Sequence, residues 1–430
     1  MISAISKNDA AWEQLFAKYS ILDEIVRNGL FAISADQIRE FREPRLMAKF
    51  DHRINLPHVF AKNDLAILPV SRGTYCISHF ASYLDFPEKG SRVRHFRLPD
   101  FIQTINPGKI PSEAIALNAA LAAGIVSDFT GETILSPTVS GRMGSGCFDF
   151  RIWNSRLCQS MPLGVNNAQI EIDAALESPD SLLLIEAKLD VSRDFIIRQL
   201  FYPLRIWSSR VTKKVRPVFL LYSNSIFHLY EYEFTDLYDY NSIQLKQYGR
   251  YSIEDTTIVF EDVMGIVNDL AVCEEPEIPF PQADDFTRII NLCELLYDND
   301  TSRENITLKY AFNARQTNYY TDAGRYLGVM TRVTMWHGEV LYQLTDKGRA
   351  ILELPYKQRQ LAFCEAILRH KVFRDAFIEG LHAGRPLDKK AIVSRMKLSA
   401  LYNIGSESTY TRRASTIRCW LEWMASLWQV

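Results

Sequence analysis

A chain of 430 residues, 47% hydrophobic and 23% charged, has enough apolar side chain for roughly two to four folded domains and is no disordered segment. A formal net charge of −2 argues against a nonspecific nucleic-acid coat, although it leaves room for local basic faces. There is no apolar run of about 18 residues, no apolar leader pattern and no Cys-x-x-Cys among the seven cysteines; a reduced, cytoplasmic protein without membrane spans is therefore expected.

Residues 8–30 place Trp12, Leu15, Phe16, Tyr19, Leu22 and Ile25 at helical spacing, which predicts one or two amphipathic helices. Ser34-Ala35-Asp36-Gln37 is a capping-box pattern opening another helix, and the Glu43-Pro44 junction is expected to stop it. Residues 65–70 and 75–80 read as a hairpin turning at Ser71-Arg72-Gly73. Helices followed by a hairpin suggest a winged-helix-like DNA-recognition module over residues 1–88. Arg39, Arg42, Arg45, Lys49 and Arg53 run through it, and Arg72 stands at the hairpin tip. The connection at 90–110 is ill defined and basic, with Lys89, Arg92, Arg94 and Arg97.

Residues 112–126 predict a helix with Glu113 in its first turn. Residues 133–137 and 147–153 predict a hairpin around the Gly-rich segment 141–146. That segment has no Walker lysine and is not a P-loop, and Arg142 at its tip is a candidate DNA contact. In 169–176 polar and apolar residues alternate: Ile170, Ile172 and Ala174 face one way, Glu171 and Asp173 the other. Residues 182–188 are apolar until Glu186 and Lys188, which lie two apart and hence on one face. Glu177-Ser178-Pro179-Asp180 between them has turn composition. With Pro179 and Asp180 central, Asp173 falls opposite Glu186 and Glu171 opposite Lys188, each pair with Cβ atoms roughly 5 Å apart. Carboxylates so close repel unless a proton or cation lies between them. A hard divalent cation that keeps several waters suits such a pair, and a neighbouring lysine can orient or help deprotonate a water. This is equipment for hydrolysing a phosphodiester. The plain alternative is a surface salt bridge at a strand end.

The stretch 168–203 resembles the PD-(D/E)xK nuclease superfamily, and more closely type II restriction endonucleases. Asp173 matches the first acid of the motif, with Ile172 in place of its proline, and Glu186-Ala187-Lys188 matches the remainder. Gln199 and Tyr202 resemble the glutamine and aromatic on the helix that follows the motif in several branches. The superfamily core runs αβββαβ. The chain supplies it with the helix at 112–126, the hairpin, the two motif strands, a helix at 193–206 and a strand at 216–222. The resemblance covers roughly 110–235. It implies that Asp173 and Glu186 hold magnesium and that Lys188 assists the attacking water. Glu171 is a substitute ligand if the register slips by two, with Glu113 and Gln199 as supports. Basic residues from Arg198 through Arg205, Arg210, Lys213, Lys214 and Arg216 have no acid among them and read as a phosphate-binding face.

Residues 231–300 are strongly acidic, and 273–285, containing Glu274-Glu275-Pro276-Glu277-Ile278-Pro279, reads as a linker closing a nuclease core of 89–272. Beyond it, helices are expected at 285–297, 306–314 and 316–327. A wing hairpin around His337-Gly338 follows at 333–344, and another helix opens at Leu344-Thr345-Asp346-Lys347-Gly348. This order resembles winged-helix modules of bacterial regulators and restriction enzymes. Arg315, Gln316, Asn318 and Tyr319 then begin the recognition helix, whose first side chains reach base edges. Residues 388–396 and 409–428 repeat a helix-turn-helix-like spacing with Arg412 and Arg413 at the start of the second helix.

The expectation is an α/β (α+β) restriction-endonuclease-like core, a mixed sheet flanked by helices, between two winged-helix or helix-turn-helix regions, the second spanning 286–430. Its expected activity is site-specific cleavage of double-stranded DNA leaving a 5′-phosphate, by a homodimer paired with a DNA methyltransferase. The alternatives are a repair or transposition nuclease of the same superfamily and a winged-helix regulator with an inactive core.

Overall fold

The computed structural model describes residues 6–428 apart from 88–91, 190–191, 255, 298, 310–311, 313, 337, 400 and 403. Lys89 and His337 of the sequence reading therefore lie outside the described residues. At the N-terminus, α1 (Lys7–Lys18) and α2 (Ile21–Asn28) bury Trp12, Leu15, Phe16 and Ile25, as their spacing predicts, but Ile21 is buried in place of Leu22, which is exposed, and Tyr19 is half-buried. β1 (Phe31–Ser34) leads into α3 (Ala35–Arg39), which is opened by the predicted box: Ser34 Oγ accepts from the Gln37 N–H, and Gln37 Oε1 from the Ser34 N–H. Pro44 does not stop that helix, which has already ended. It begins α4 (Pro44–Met47), where a missing N–H costs nothing. α5 (His58–Lys62), β2 (Ala66–Pro69) and β3 (Thr74–Ser78) complete the unit, with β3 antiparallel between β1 and β2.

β4 (Tyr83–Asp85) and β5 (Val93–His95) precede α6 (Glu113–Ala122) and α7 (Ile125–Thr130). The single helix predicted at 112–126 is thus two, broken at Gly124, whose φ of 77° suits glycine. The strands β6 (Ser136–Gly144), β7 (Cys147–Asn154), β8 (Gln159–Asn166), β9 (Gln169–Glu177), β10 (Ser181–Lys188) and β11 (Asp194–Ile196) come next. α8 (Arg198–Ser208), β12 (Lys214–Ser223), β13 (Ile226–Phe234) and β14 (Ile243–Ser252) follow. Seven of these strands form one mixed sheet in the order β5-β14-β13-β12-β10-β9-β6. β10 runs antiparallel to β9 and parallel to β12, and α8 makes the crossover.

The expected hairpin of 133–137 with 147–153 does not form. β6 passes through the Gly-rich segment and pairs with β9, while β7 pairs with β8, a strand the sequence reading missed. Arg142 is accordingly a strand residue opposite Glu171, not a hairpin tip. The helix predicted from 193 begins at Arg198, because 194–196 pairs with β4 instead. Period-2 alternation along β10 and β12 divides the core. Leu183, Ile185, Val218 and Leu220 pack beneath α6 and α7. Leu182 and Leu184 face the other layer with Trp207 of α8.

The C-terminal unit comprises α9 (Phe260–Asp269), α10 (Phe286–Leu295), β15 (Thr301–Ser302), α11 (Arg303–Lys309), α12 (Ala314–Tyr326), β16 (Met330–Thr334) and β17 (Val340–Leu344). It ends with α13 (Asp346–Glu353), α14 (Tyr356–Leu368), α15 (Lys371–His382), α16 (Lys389–Lys397) and α17 (Glu407–Ala425). The segment read as a linker is packed, not loose. Phe280 and Ala283 are buried, the Cys273 N–H donates to the Arg369 carbonyl, and the Trp420 indole donates to the Ala283 carbonyl at 2.7 Å. α9 shares this core through Val263 and Val267, so the boundary expected at 272 lies before α9. The charge-rich sequence there hid an apolar stripe.

The basic run at 198–216 is largely spent on structure. Lys213 bonds Glu177 at 2.6 Å, and Arg205 donates to the Leu237 carbonyl. Arg216 is buried and donates to Glu231 at 2.8 and 2.9 Å and to Glu132 at 3.0 Å. Moreover, Lys214 pairs with Ser181, at the far end of the sheet from Lys188. Removing one partner of such a buried pair strands the other charge. Arg216→Ala should therefore lower stability by roughly 3–5 kcal/mol. A urea midpoint unchanged from the parent would refute the structural role.

Candidate active site

β10 is buried along its length, and its charged end must find partners inside the fold. β9 and β10 stay in the predicted register through Ile185↔Ala174, where the recorded pairing ends. Beyond that point the Asp173 carboxylate, not a backbone carbonyl of β9, accepts the Ala187 N–H at 2.8 Å. Glu186 is 8% exposed. Its Oε1 accepts from Lys188 Nζ at 2.7 Å and from Gln199 Nε2, on α8, at 2.6 Å. Lys188 Nζ also donates to the Ala187 carbonyl at 3.0 Å and lies 3.7 Å from Glu113 Oε1, at the start of α6.

Five residues named from sequence therefore meet: Asp173, Glu186, Lys188, Glu113 and Gln199. Glu171 arrives differently. It is paired with Arg142, Nε to Oε1 3.2 Å, not opposed to Lys188, because the ladder has ended. Its side chain still lines a small hollow together with Glu186 and Gln199. Tyr202 is buried, and its hydroxyl donates to the Pro69 carbonyl at 3.0 Å, tying α8 to the N-terminal unit.

Burial pushes the Glu186 carboxyl up to about 7; Lys188 opposes this, and the Asp173 and Asp51 charges reinforce it. Burial pulls Lys188 down, but the Glu186, Glu113 and Asp173 carboxylates outweigh it and hold the ammonium well above the ordinary lysine value. Lys188 is thus a fixed cation, and Glu186 is the group that exchanges a proton near neutrality. Asp51, delivered by the N-terminal unit, was missed from sequence. So was Asn291 of α10, whose amide donates to the Leu189 carbonyl at 2.8 Å, just past Lys188. No local pattern marks either residue; both arrive by domain packing.

Among the described residues, no group of three or more His, Cys, Asp or Glu side chains is disposed to hold a metal ion. Asp173 and Glu186 supply two carboxylates at the site, and magnesium is commonly held by one or two carboxylates with water and substrate oxygens completing its shell. The buried Gln199 Oε1 has no hydrogen-bond partner among the described groups and adds an acceptor there. On one side the site opens into a cleft of about 800 Å³ between the sheet and the C-terminal unit, with Lys188 and Glu113 on its wall.

The residues expected to touch DNA form two groups. Arg72 is exposed in the β2–β3 turn. Arg315, near the start of α12, donates to the Tyr319 hydroxyl at 2.5 Å, and the Arg413 guanidinium of α17 lies 5.9 Å from the Tyr319 ring. Arg412 is exposed beside it, and Gln316 and Asn318 are partly exposed. The two predicted recognition helices thus contribute to one surface. In the N-terminal series, Arg39, Arg42, Lys49 and Arg53 pair with carboxylates, leaving Arg45 exposed.

Residues 9–77, 78–252 and 288–429 match three family models described as Domain of unknown function (DUF6996), (DUF6997) and (DUF7226), respectively. No curated protein and no solved structure matches the chain. The outer two matches correspond to the N-terminal and C-terminal units, and the middle one to the sheet bearing the site. Among the described residues no helix is long and apolar enough to cross a membrane.

The Glu186 shift carries a sign. A carboxyl raised from 4.5 to about 7 contributes stability that is fully present below about pH 4.5 and lost as pH rises through about 7. Lys188 stays charged throughout that window. Urea unfolding between pH 4.5 and 7.5 should therefore lose stability with rising pH, and Glu186→Gln should flatten that slope. Equal slopes in parent and variant would refute the assignment.

Proposed function

We propose that the chain is a metal-dependent endonuclease acting on double-stranded DNA, resembling PD-(D/E)xK enzymes of the type II restriction class. The observation that carries this reading is the meeting of Asp173, Glu186, Lys188, Glu113 and Gln199 at the end of one buried strand followed by a crossover helix. Element order supports it. α6–α7, β6, β9, β10, α8 and β12 follow the αβββαβ plan, with β7–β8 inserted. In both flanking units a helix, a strand, further helices and a hairpin occur in winged-helix order.

Asp173 and Glu186 would hold magnesium, which when bound supplies Lewis acidity at the phosphate and a more acidic water. The chain's own residues do the rest. Lys188, kept as an ammonium, cannot accept a proton; it orients water and offsets charge on the phosphate. Gln199 fixes the Glu186 carboxylate, and Glu113 holds the Lys188 head group toward the cleft. Base readout falls to the Arg315–Asn318 turn and to Arg412 and Arg413, with Arg72 as a phosphate or groove contact. Cleavage of both strands calls for a homodimer, and a restriction role calls for a cognate DNA methyltransferase.

Incubating DNA of known sequence with the protein and magnesium, and mapping the ends, should give discrete cuts bearing 5′-phosphates. Lys188→Ala should abolish cutting while leaving DNA affinity nearly unchanged, since one amine is a small part of a phosphate-dominated interface. A variant that cuts at the parental rate would remove Lys188 from the chemistry. Asn318→Ala and Gln316→Ala should weaken the cognate duplex alone, by roughly 1–3 kcal/mol each. If both leave the ratio of cognate to scrambled affinity unchanged, α12 is not the reader.

A further inference from the structure

At the tip of the β16–β17 hairpin, Trp336 is 94% exposed. A lone apolar side chain on a surface needs no explanation by itself, but three features set this one apart. The tip is a closed turn. Beyond the last ladder pair, Thr334 with Val340, the Met335 N–H donates to the Glu339 carbonyl at 2.7 Å and the Gly338 N–H to the Met335 carbonyl at 2.8 Å. Gly338 has a φ of 87°, which suits glycine. The root of the hairpin is also fixed. Met330, the first residue of β16, lies so close to Gly324 of α12 that a Cβ there would come within 2.4 Å of its Sδ. On the other side, a Cβ on Gly348 of α13 would come within 2.2 Å of the Val329 carbonyl oxygen. The offset of Trp336 from α12 is therefore set by packing. Third, the hairpin adjoins cations. Burial raises the Asp322 carboxyl of α12, and Arg325, Arg332 of β16 and Arg413 of α17 all oppose that rise. Arg332 is exposed, so the hairpin continues the basic surface of α12 and α17.

A protein partner would ask for a broad apolar patch around the indole, yet the exposed part of β16 is Arg332, Val333 and Thr334. A flat apolar ring on a fixed tip, beside a cationic surface, instead matches a partner with a polyanionic rim and a stack of flat rings inside it. We propose that Trp336 is a wedge: it enters the minor groove of the duplex read by α12 and inserts between two neighbouring base pairs, bending the DNA. This rests on the DNA reading above and deepens it. Apolar wedges of this kind unstack a base step and kink the duplex by roughly 20–90°. Pyrimidine–purine steps yield most easily, so Trp336 selects sequence by deformability at a step to which it makes no hydrogen bond.

The test measures the bend in EDTA, so that no cleavage intervenes. A duplex containing the site mapped by cleavage carries a donor dye at one end and an acceptor at the other, and energy transfer is read at saturating protein. The parent should bring the ends closer, as a bend of roughly 20–90° requires. Trp336→Ala should bind and leave the duplex straight, whereas Trp336→Phe, which keeps an aromatic wedge, should retain the bend. A parent that binds without bending overturns the wedge and leaves the DNA reading standing. So does a Trp336→Ala variant that bends the duplex as the parent does, or a Trp336→Phe variant that leaves it straight. Loss of all DNA binding by Trp336→Ala also overturns the wedge, because phosphate contacts and not the indole should hold the duplex. A parental dimer that Trp336→Ala splits in sedimentation gives the indole to a second copy of the chain and overturns it too. Failure of the parent to bind the duplex defeats both readings.

Discussion

A strand buried on both faces that ends in Glu186 and Lys188 sets the terms for the rest of the fold. Neither ion tolerates a low-dielectric position without partners. The sheet supplies Asp173, α8 supplies Gln199, and α6 supplies Glu113. Each of these elements must be where it is for the strand end to be satisfied. The parallel pairing of β10 with β12 requires a crossover, and α8, as that crossover, returns over the sheet with Gln199 above Glu186. The chemistry and the topology share the same hydrogen bonds.

The flanking units are fixed to that strand end by buried polar contacts, not by a flexible tether. The turn Ser223-Asn224-Ser225 inserts between α10 and α14. Asn224 and Gln360 exchange amide hydrogen bonds at 2.7 and 3.1 Å, and Glu294 accepts from Ser223 and from the Asn224 N–H. Burial raises the Glu294 carboxyl, while Arg359 and these donors oppose the rise. On the other side, Asp194 of β11 accepts from the Arg53 N–H, and the Ile196 N–H donates to the Asp51 carbonyl. The two outer units also touch, through Asn55 Nδ2 to the Thr307 carbonyl at 3.1 Å. Three units thus close around one strand end, and such polar contacts fix register more than they add stability.

What the sequence made legible was local. Period-2 and period-3.6 patterns placed β9, β10, β12, α10, α12 and α17. The Pro179-Asp180 turn set the β9–β10 register, and the capping residues at Ser34 and Thr345 marked real helix starts. Partnership between strands was less legible. β6 and β7 carry the alternation of a hairpin, yet β6 pairs with the more distant β9 while β7 turns back onto the next strand, β8, because sheet neighbours are chosen by packing as well as by proximity in the chain. The segment at 273–285 misled for a related reason. Its prolines and acids have linker composition, but Phe280 and Ala283 among them are core residues. Asp51 and Asn291 reach the site only through domain docking, which no window of sequence encodes.

Charge shows the same gap between sequence and surface. The six cations from Arg198 to Arg216 look like an anion-binding strip, but a cation counts toward binding only when its hydration is what it stands to lose. Arg216 is already committed to two carboxylates, and Lys213 to one. Arg413 is different. Burial lowers its pKa while the Tyr319, Asp322 and Asp284 side chains oppose the fall, and its Nε lacks a partner among the described groups, so the water it has lost is only partly replaced. Beside it Arg315 is exposed, and Tyr319 lies between the two. A guanidinium held over an aromatic ring keeps its planar donor edge turned outward at little further cost in side-chain entropy. If the proposed DNA reading holds, the surface built by α12 and α17 is therefore better prepared for a base edge or phosphate than the longer basic run, although it carries fewer charges in sequence.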